Sequence, residues 1–231
     1  MKNASPKTKA APATDWQAGL SAIDLETIRP VFAPAVADTD KARQLSTDRR
    51  HVRRTDKAVM LDARRLANAL EHIGRLPERG EAFHLITEKR YSMAHVIPAT
   101  LQLAEPATIR HLTVVTLSFS QPNMVDLLAM LDSGQIAEVH FLYSCYFRAN
   151  NKDACQQLAE ALTARGQRVF SGLIHAKLLL IELTDGRTYA VESSANLRSC
   201  ASVEQLAMIH DRSLYDFHRT WTNEILEGPQ K

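Results

Sequence analysis

His175 and Lys177 stand two residues apart in the run IHAKLLLIEL, Ile174 to Leu183, the most apolar stretch in the chain to carry two such groups. In a strand, residues i and i+2 face the same side. An imidazole and an ammonium would therefore project together. Past the turn Thr184-Asp185-Gly186 and a short return strand lie Ser193, Ser194 and Asn196. An imidazole that can act as nucleophile or acid, a fixed cation and neutral hydrogen-bond donors are together what a phosphate group needs. A neutral imidazole can attack phosphorus and form a phosphohistidine that water then cleaves, splitting one hard displacement into two easier ones. The cation and the neutral donors would stabilise the equatorial oxygens as charge builds on them.

The elements that must position these residues follow from hydrophobic periodicity. Val59 to Ile73 has apolar residues at 59, 63, 66, 70 and 73, which predicts a helix with one buried face, stopped by Gly74 and Pro77. From Ala82 the chain alternates. Strands are expected at Ala82–Thr87, Arg110–Leu117, Ala137–Tyr143 and Arg168–Phe170, and helices at Ser92–Ala104 (despite Pro98), Asn123–Leu131 and Lys152–Ala164. The series implies an α/β domain with a mixed, largely parallel sheet flanked by helices on both faces. Leu173–Leu183 and Thr188–Glu192 read as a hairpin closed by Asp185-Gly186. Gln205–His210 is expected to pair alongside, and Ser213–Leu226 to form a closing helix capped by Ser213 and Asp216. Ligands of open α/β sheets sit at the carboxyl ends of the parallel strands. That makes Ser118, Ser120 and Arg148 candidate substrate contacts, with Arg198 nearby in the motif segment.

In order, His175-Ala176-Lys177, four residues, Glu182, a hairpin return, Ser193-Ser194-Ala195-Asn196 and a later Glu204 resemble the signature of the phospholipase D superfamily. That signature reads HxK, four residues, Asp, then Gly-Ser-x-Asn. The resemblance extends back to about Phe83. It implies a phospholipase D-like fold, His175 as nucleophile, Lys177, Ser194 and Asn196 as stabilisers of the phosphate, and Glu204 as acceptor for the second ring nitrogen of His175. It implies no metal and no other cofactor. Glu182 replaces the family's Asp, a supporting position, and Ser193 replaces its Gly, where a Cβ could crowd a close backbone approach. The family uses two such motifs. No second HxK is present, and His51-Val52-Arg53 and His210-Asp211-Arg212 lack the following Ser-x-Asn. The resemblance therefore implies a symmetric homodimer whose two His175 residues meet, one attacking and one acting as acid. The reading is a single-motif, nuclease-like phosphodiesterase of bacterial or phage type, concerned with DNA metabolism, defence or mobile elements. Its alternatives are a related nucleic-acid-binding protein without turnover and a lipid phosphodiesterase.

Composition sets the bounds. The 231 residues are 45% hydrophobic, enough for one sizeable core. The formal net charge is only +2, but residues 1–57 hold 11 of the 28 Lys and Arg and 7 of the 26 Asp and Glu. An N-terminal extension (1–57), with little to bury before Thr14 and expected to be disordered there, thus precedes a domain at 58–231. Arg49, Arg50, Arg53 and Arg54 in DRRHVRRTDK are candidate nucleic-acid phosphate contacts, against the plainer reading of a solvated charged segment leading into the next helix. Cys145, Cys155 and Cys200 form no CxxC pair and are odd in number, which argues against a disulfide framework or zinc cluster and for a reducing, cytoplasmic setting. The N-terminus lacks the apolar core of a secretion signal, and no run reaches membrane-span length, so no membrane partner is expected. His84, His95, His111 and His140 receive no role.

Overall fold

The computed structural model describes residues 62–198 and 202–228. The expected extension, its arginine patch and the boundary at 57/58 lie outside the described residues. Helix α1 (62–73) is followed by β1 (Ala82–Glu88), α2 (Met93–Ala104), β2 (Ile109–Thr116), α3 (Gln121–Asp132), β3 (Ile136–Ser144), α4 (Cys145–Asn150), α5 (Lys152–Ala164) and β4 (Arg168–Gly172). Then come β5 (Leu178–Leu183), β6 (Thr188–Ser193), β7 (Val203–Ile209) and α6 (Arg212–Glu227). The strands form one seven-stranded sheet in the order β1-β7-β6-β5-β2-β3-β4. The expected mixed α/β architecture is present. Its parallel ladders are confined to β2-β3-β4, however, and the other pairings are antiparallel, so the parallel part is smaller than expected. The reason lies in connectivity: β2, β3 and β4 are joined through helices, whereas β5, β6 and β7 follow one another without an intervening helix.

Alternation along the central strands divides the core into two layers. Leu179 and Ile181 of β5 join Leu112 and Val114 of β2 and Phe141 of β3 in the larger cluster, which also takes in buried residues of α1, α2, α3 and α5. Leu178 and Leu180 turn the other way, into a smaller cluster with Val115, Leu142, Ala190 and Tyr215, against which Leu214, Trp221 and Ile225 of α6 pack. Being covered on both faces is why β5 opens on a continuous apolar run, Leu178 to Ile181, rather than an alternating one.

Among the boundaries that differ from expectation, two have a clear physical cause. The helix α6 is capped by Asp211, whose Oδ1 accepts from Leu214 N–H at 2.9 Å; Asp216, expected at the cap, instead pairs with Arg212 at 2.9 Å. The ladder of β5 begins at Leu178, not Leu173. Its partner β2 reaches only Val115 opposite Leu178 and ends at Thr116, so residues 173–177 have no β2 residue opposite them, and Lys177 is tied instead to the end of β6 at Ser193.

Candidate active site

The motif residues gather at one rim of the sheet. Lys177 immediately precedes β5, and its carbonyl accepts from Ser193 N–H at 3.1 Å, tying the start of β5 to the end of β6. Asn196 Oδ1 accepts from Leu117 N–H at 3.2 Å, just beyond the carboxyl end of β2. Leu197 is stitched to the same loop: its N–H donates to Thr116 Oγ1 (3.1 Å), and its carbonyl accepts from Ser120 N–H (3.2 Å) and Asn123 Nδ2 (3.0 Å). With Oδ1 held by the backbone, Asn196 Nδ2 remains as a donor at the rim. This rim lies at the carboxyl end of β2, the side on which open α/β sheets bind ligands.

His175 is exposed and Lys177 half-buried, and Lys177 Nζ lies 3.2 Å from His175 Nδ1. The two side chains meet as expected, but on the lead-in to β5 rather than within a strand. An ammonium can only donate. In this contact Nδ1 is therefore the acceptor, and the proton of a neutral ring resides on Nε2.

The Glu204 carboxylate makes a very short hydrogen bond with Ser194 Oγ, which also accepts from Gln205 N–H at 3.0 Å. The expected acceptor of a His175 proton is thus bonded to Ser194 instead, and the second partner of the imidazole is Lys177. Ser193 does not crowd the turn it occupies. Its Oγ donates to Gln205 carbonyl (3.0 Å) and accepts from Ala195 N–H (2.8 Å), the kind of local closure that a serine supplies and a glycine cannot.

The expected substrate contacts separate. Arg148 in α4 and Arg198 are exposed, and Ser120 is half-buried at the N-cap of α3. Ser118 is only 3% exposed, with no hydrogen-bond partner for its Oγ, so it is not displayed to solvent.

Glu182 sits at the other end of β5, five residues from Lys177, or about 17 Å along a strand. Its carboxylate accepts from Arg219 (3.1 Å) and from the Tyr215 hydroxyl (3.4 Å), with Arg110 at 3.5 Å. The residue fastens α6 to the sheet, and burial pushes the Tyr215 phenol upward so that it stays a neutral donor. Substituting Glu182→Ala is expected to cost about 2 kcal/mol, read as a lower urea midpoint, because it strands these donors. Turnover per folded molecule should be unchanged.

One constellation was not foreseen. His111 on β2 stands opposite Glu138 on β3, and His140 is two residues further on the same face. One donor atom from each lies within 4.8 Å of the others, a His/His/Glu cluster of the type that hydrolytic and metal sites draw on. Burial pushes His140 down to about 4, aided by His111 and Arg168 and opposed by Glu138. Burial tends to raise Glu138, but the two imidazoles outweigh it and hold the carboxyl low. The signal available in the sequence was His111 together with Glu138-x-His140. It becomes legible only once β2 and β3 are known to be neighbours in this register.

Neither a protein-family model nor a curated protein matches this sequence. Among solved structures it is similar to polyphosphate kinase from Porphyromonas gingivalis, at 16% identity over 70% of this chain and 29% of that one, with a TM-score of 0.48. It is similar to NucT from Helicobacter pylori at 16% identity, 64% and 97% coverage and a TM-score of 0.47. For Nuc from Salmonella typhimurium, a phospholipase D family member, the figures are 15%, 62% and 93%, and 0.46. The chain thus spans under a third of the kinase and nearly all of NucT and Nuc. No helix among the described residues is long and apolar enough to cross a membrane.

Proposed function

We propose that the chain is a metal-independent phosphodiesterase of nuclease type, acting through a phosphohistidine at a site completed by a second copy of itself. The observation that carries this reading is the exposed His175 with Lys177 at 3.2 Å, on a rim that also holds Ser194 and Asn196. A diester anion entering this rim draws the Lys177 ammonium onto its own oxygens and frees His175 Nδ1 to take the ring proton. Nε2 is then a free nucleophile. It forms the N–P bond as the leaving oxygen departs with a proton from the partner subunit's His175. That imidazole, now neutral, takes a proton from water, whose oxygen displaces His175. Lys177 and Asn196 Nδ2 stabilise the charge on the equatorial oxygens, while the Ser194 hydroxyl, its one proton given to Glu204, braces the rim.

The preference for nucleic acid rests on Arg49, Arg50, Arg53 and Arg54 and on the phospholipase D-like motif of a nuclease-like member. A single-motif chain needs its partner's imidazole, so the oligomer is directly testable. Wild-type protein co-refolded with an equal amount of His175→Asn is expected to show about one quarter of the activity of an all-wild-type sample, because only dimers with two intact histidines turn over. A value near one half would show that each chain works alone. Salt-sensitive DNA binding without turnover or a trapped phosphohistidine would instead identify a binding module. Hydrolysis confined to phospholipid vesicles would identify a lipid enzyme.

A further inference from the structure

The His111/Glu138/His140 cluster belongs to the opposite end of the sheet from His175. His111 faces Glu182 across the β2/β5 ladder, whereas Leu178, next to Lys177, faces Val115. Four residues along β2 separate the two levels, about 13 Å. His111 is 2% exposed and His140 5%, while the Glu138 carboxylate reaches solvent. His111 Nδ1 lies 3.1 Å from one Glu138 oxygen and His140 Nε2 3.0 Å from the other. Yet neither nitrogen makes a well-directed hydrogen bond, and His140 Nδ1 has no partner either. Nitrogen atoms left unsatisfied in a protein interior are costly and rare. The remaining nitrogen, His111 Nε2, is held by Thr113 Oγ1 at 2.9 Å, which fixes the ring with Nδ1 turned toward Glu138.

The geometry points to a divalent transition-metal site of the zinc class, with His111, Glu138 and His140 as its three protein ligands and solvent completing the shell. Two imidazoles and one carboxylate are a recurrent ligand set for such ions. Donors around a tetrahedral zinc ion are about 3.3 Å apart, since each bond is about 2.0–2.1 Å; here each imidazole already lies near that distance from one Glu138 oxygen, and one donor atom from each residue falls within 4.8 Å of the others, so the set must draw together to close on an ion. Thr113 takes the place of the outer group that commonly orients a metal-bound histidine. Arg168, beside His140 on β4, opposes a further cation, and the Glu138 carboxylate offsets it. Bound metal would clamp β2 to β3 rather than touch the phosphate.

The full chain, stripped with chelator and titrated with zinc sulfate, is expected to bind one equivalent and to melt at a higher temperature. Cobalt chloride should give the visible bands of a low-symmetry site. Glu138→Gln, an exposed change that spares the buried rings, should weaken zinc binding by about tenfold or more. His175→Asn should retain the full equivalent, which separates this site from the motif histidine whatever the chain's activity. Absence of stoichiometric binding by the wild type, or equal affinity in folded Glu138→Gln and wild-type protein, would overturn the assignment.

Discussion

Replacing His175 with Asn is expected to lower diester hydrolysis by about 10⁴-fold or more, because under the proposed mechanism it removes both the nucleophile and, across the proposed dimer, the leaving-group acid. The residue is exposed, so the substitution leaves the core intact and the melting temperature nearly unchanged. The loss should appear in kcat with DNA and with bis(p-nitrophenyl) phosphate alike. Wild-type cleavage should survive EDTA, even where the chelator lowers thermal stability by stripping the distal cluster. A variant that keeps more than about a tenth of wild-type activity would remove His175 from the chemistry; activity dependent on added divalent metal would exclude the proposed mechanism. Lys177→Met offers a graded comparison, since a lost cation weakens charge stabilisation but leaves the nucleophile in place.

The largest stability effect is expected at Leu179. Its side chain is fully buried in the larger cluster, on a central strand covered on both faces. Leu179→Ala should cost about 3 kcal/mol, within the 2–5 kcal/mol typical of buried leucine truncations. For a domain of this size that corresponds to a fall in Tm of roughly 6–12 °C. Calorimetry or a urea titration would read it directly. Activity per folded molecule should hold, because β5 would still deliver Lys177 to the same rim. A cost below about 1 kcal/mol would mean that the layer collapses around the gap and that β5 is not the rigid support inferred here.

These outcomes rest unequally on sequence and structure. The apolar run from Leu178 to Leu183 was legible because a strand buried on both faces cannot hide its composition, and the Asp185-Gly186 turn announced the return strand. The end of α6 was misplaced by one local competition: Asp211, Ser213 and Asp216 can all cap, and only the path of the chain leaving β7 chose Asp211. The lead-in at 173–177 was read as strand because composition does not reveal where a neighbouring strand stops. The partners of Glu204 and Ser193 were hidden for a similar reason, since both depend on how closely the start of β7 approaches the end of β6.

What the sequence alone determined about this protein is therefore local and ordered: the His175-x-Lys177 pair, its Ser-x-Asn companion and the strands that carry them, all fixed by covalent spacing and burial period. Only the tertiary structure decided which of those groups face one another. Lys177 took the imidazole nitrogen expected for Glu204, Ser194 took Glu204, and parallel pairing of β2 with β3 brought His111 to Glu138 and His140. The physical reason is strand register, because pairing between strands distant in sequence sets contacts over a few ångströms that no periodicity along a single strand encodes.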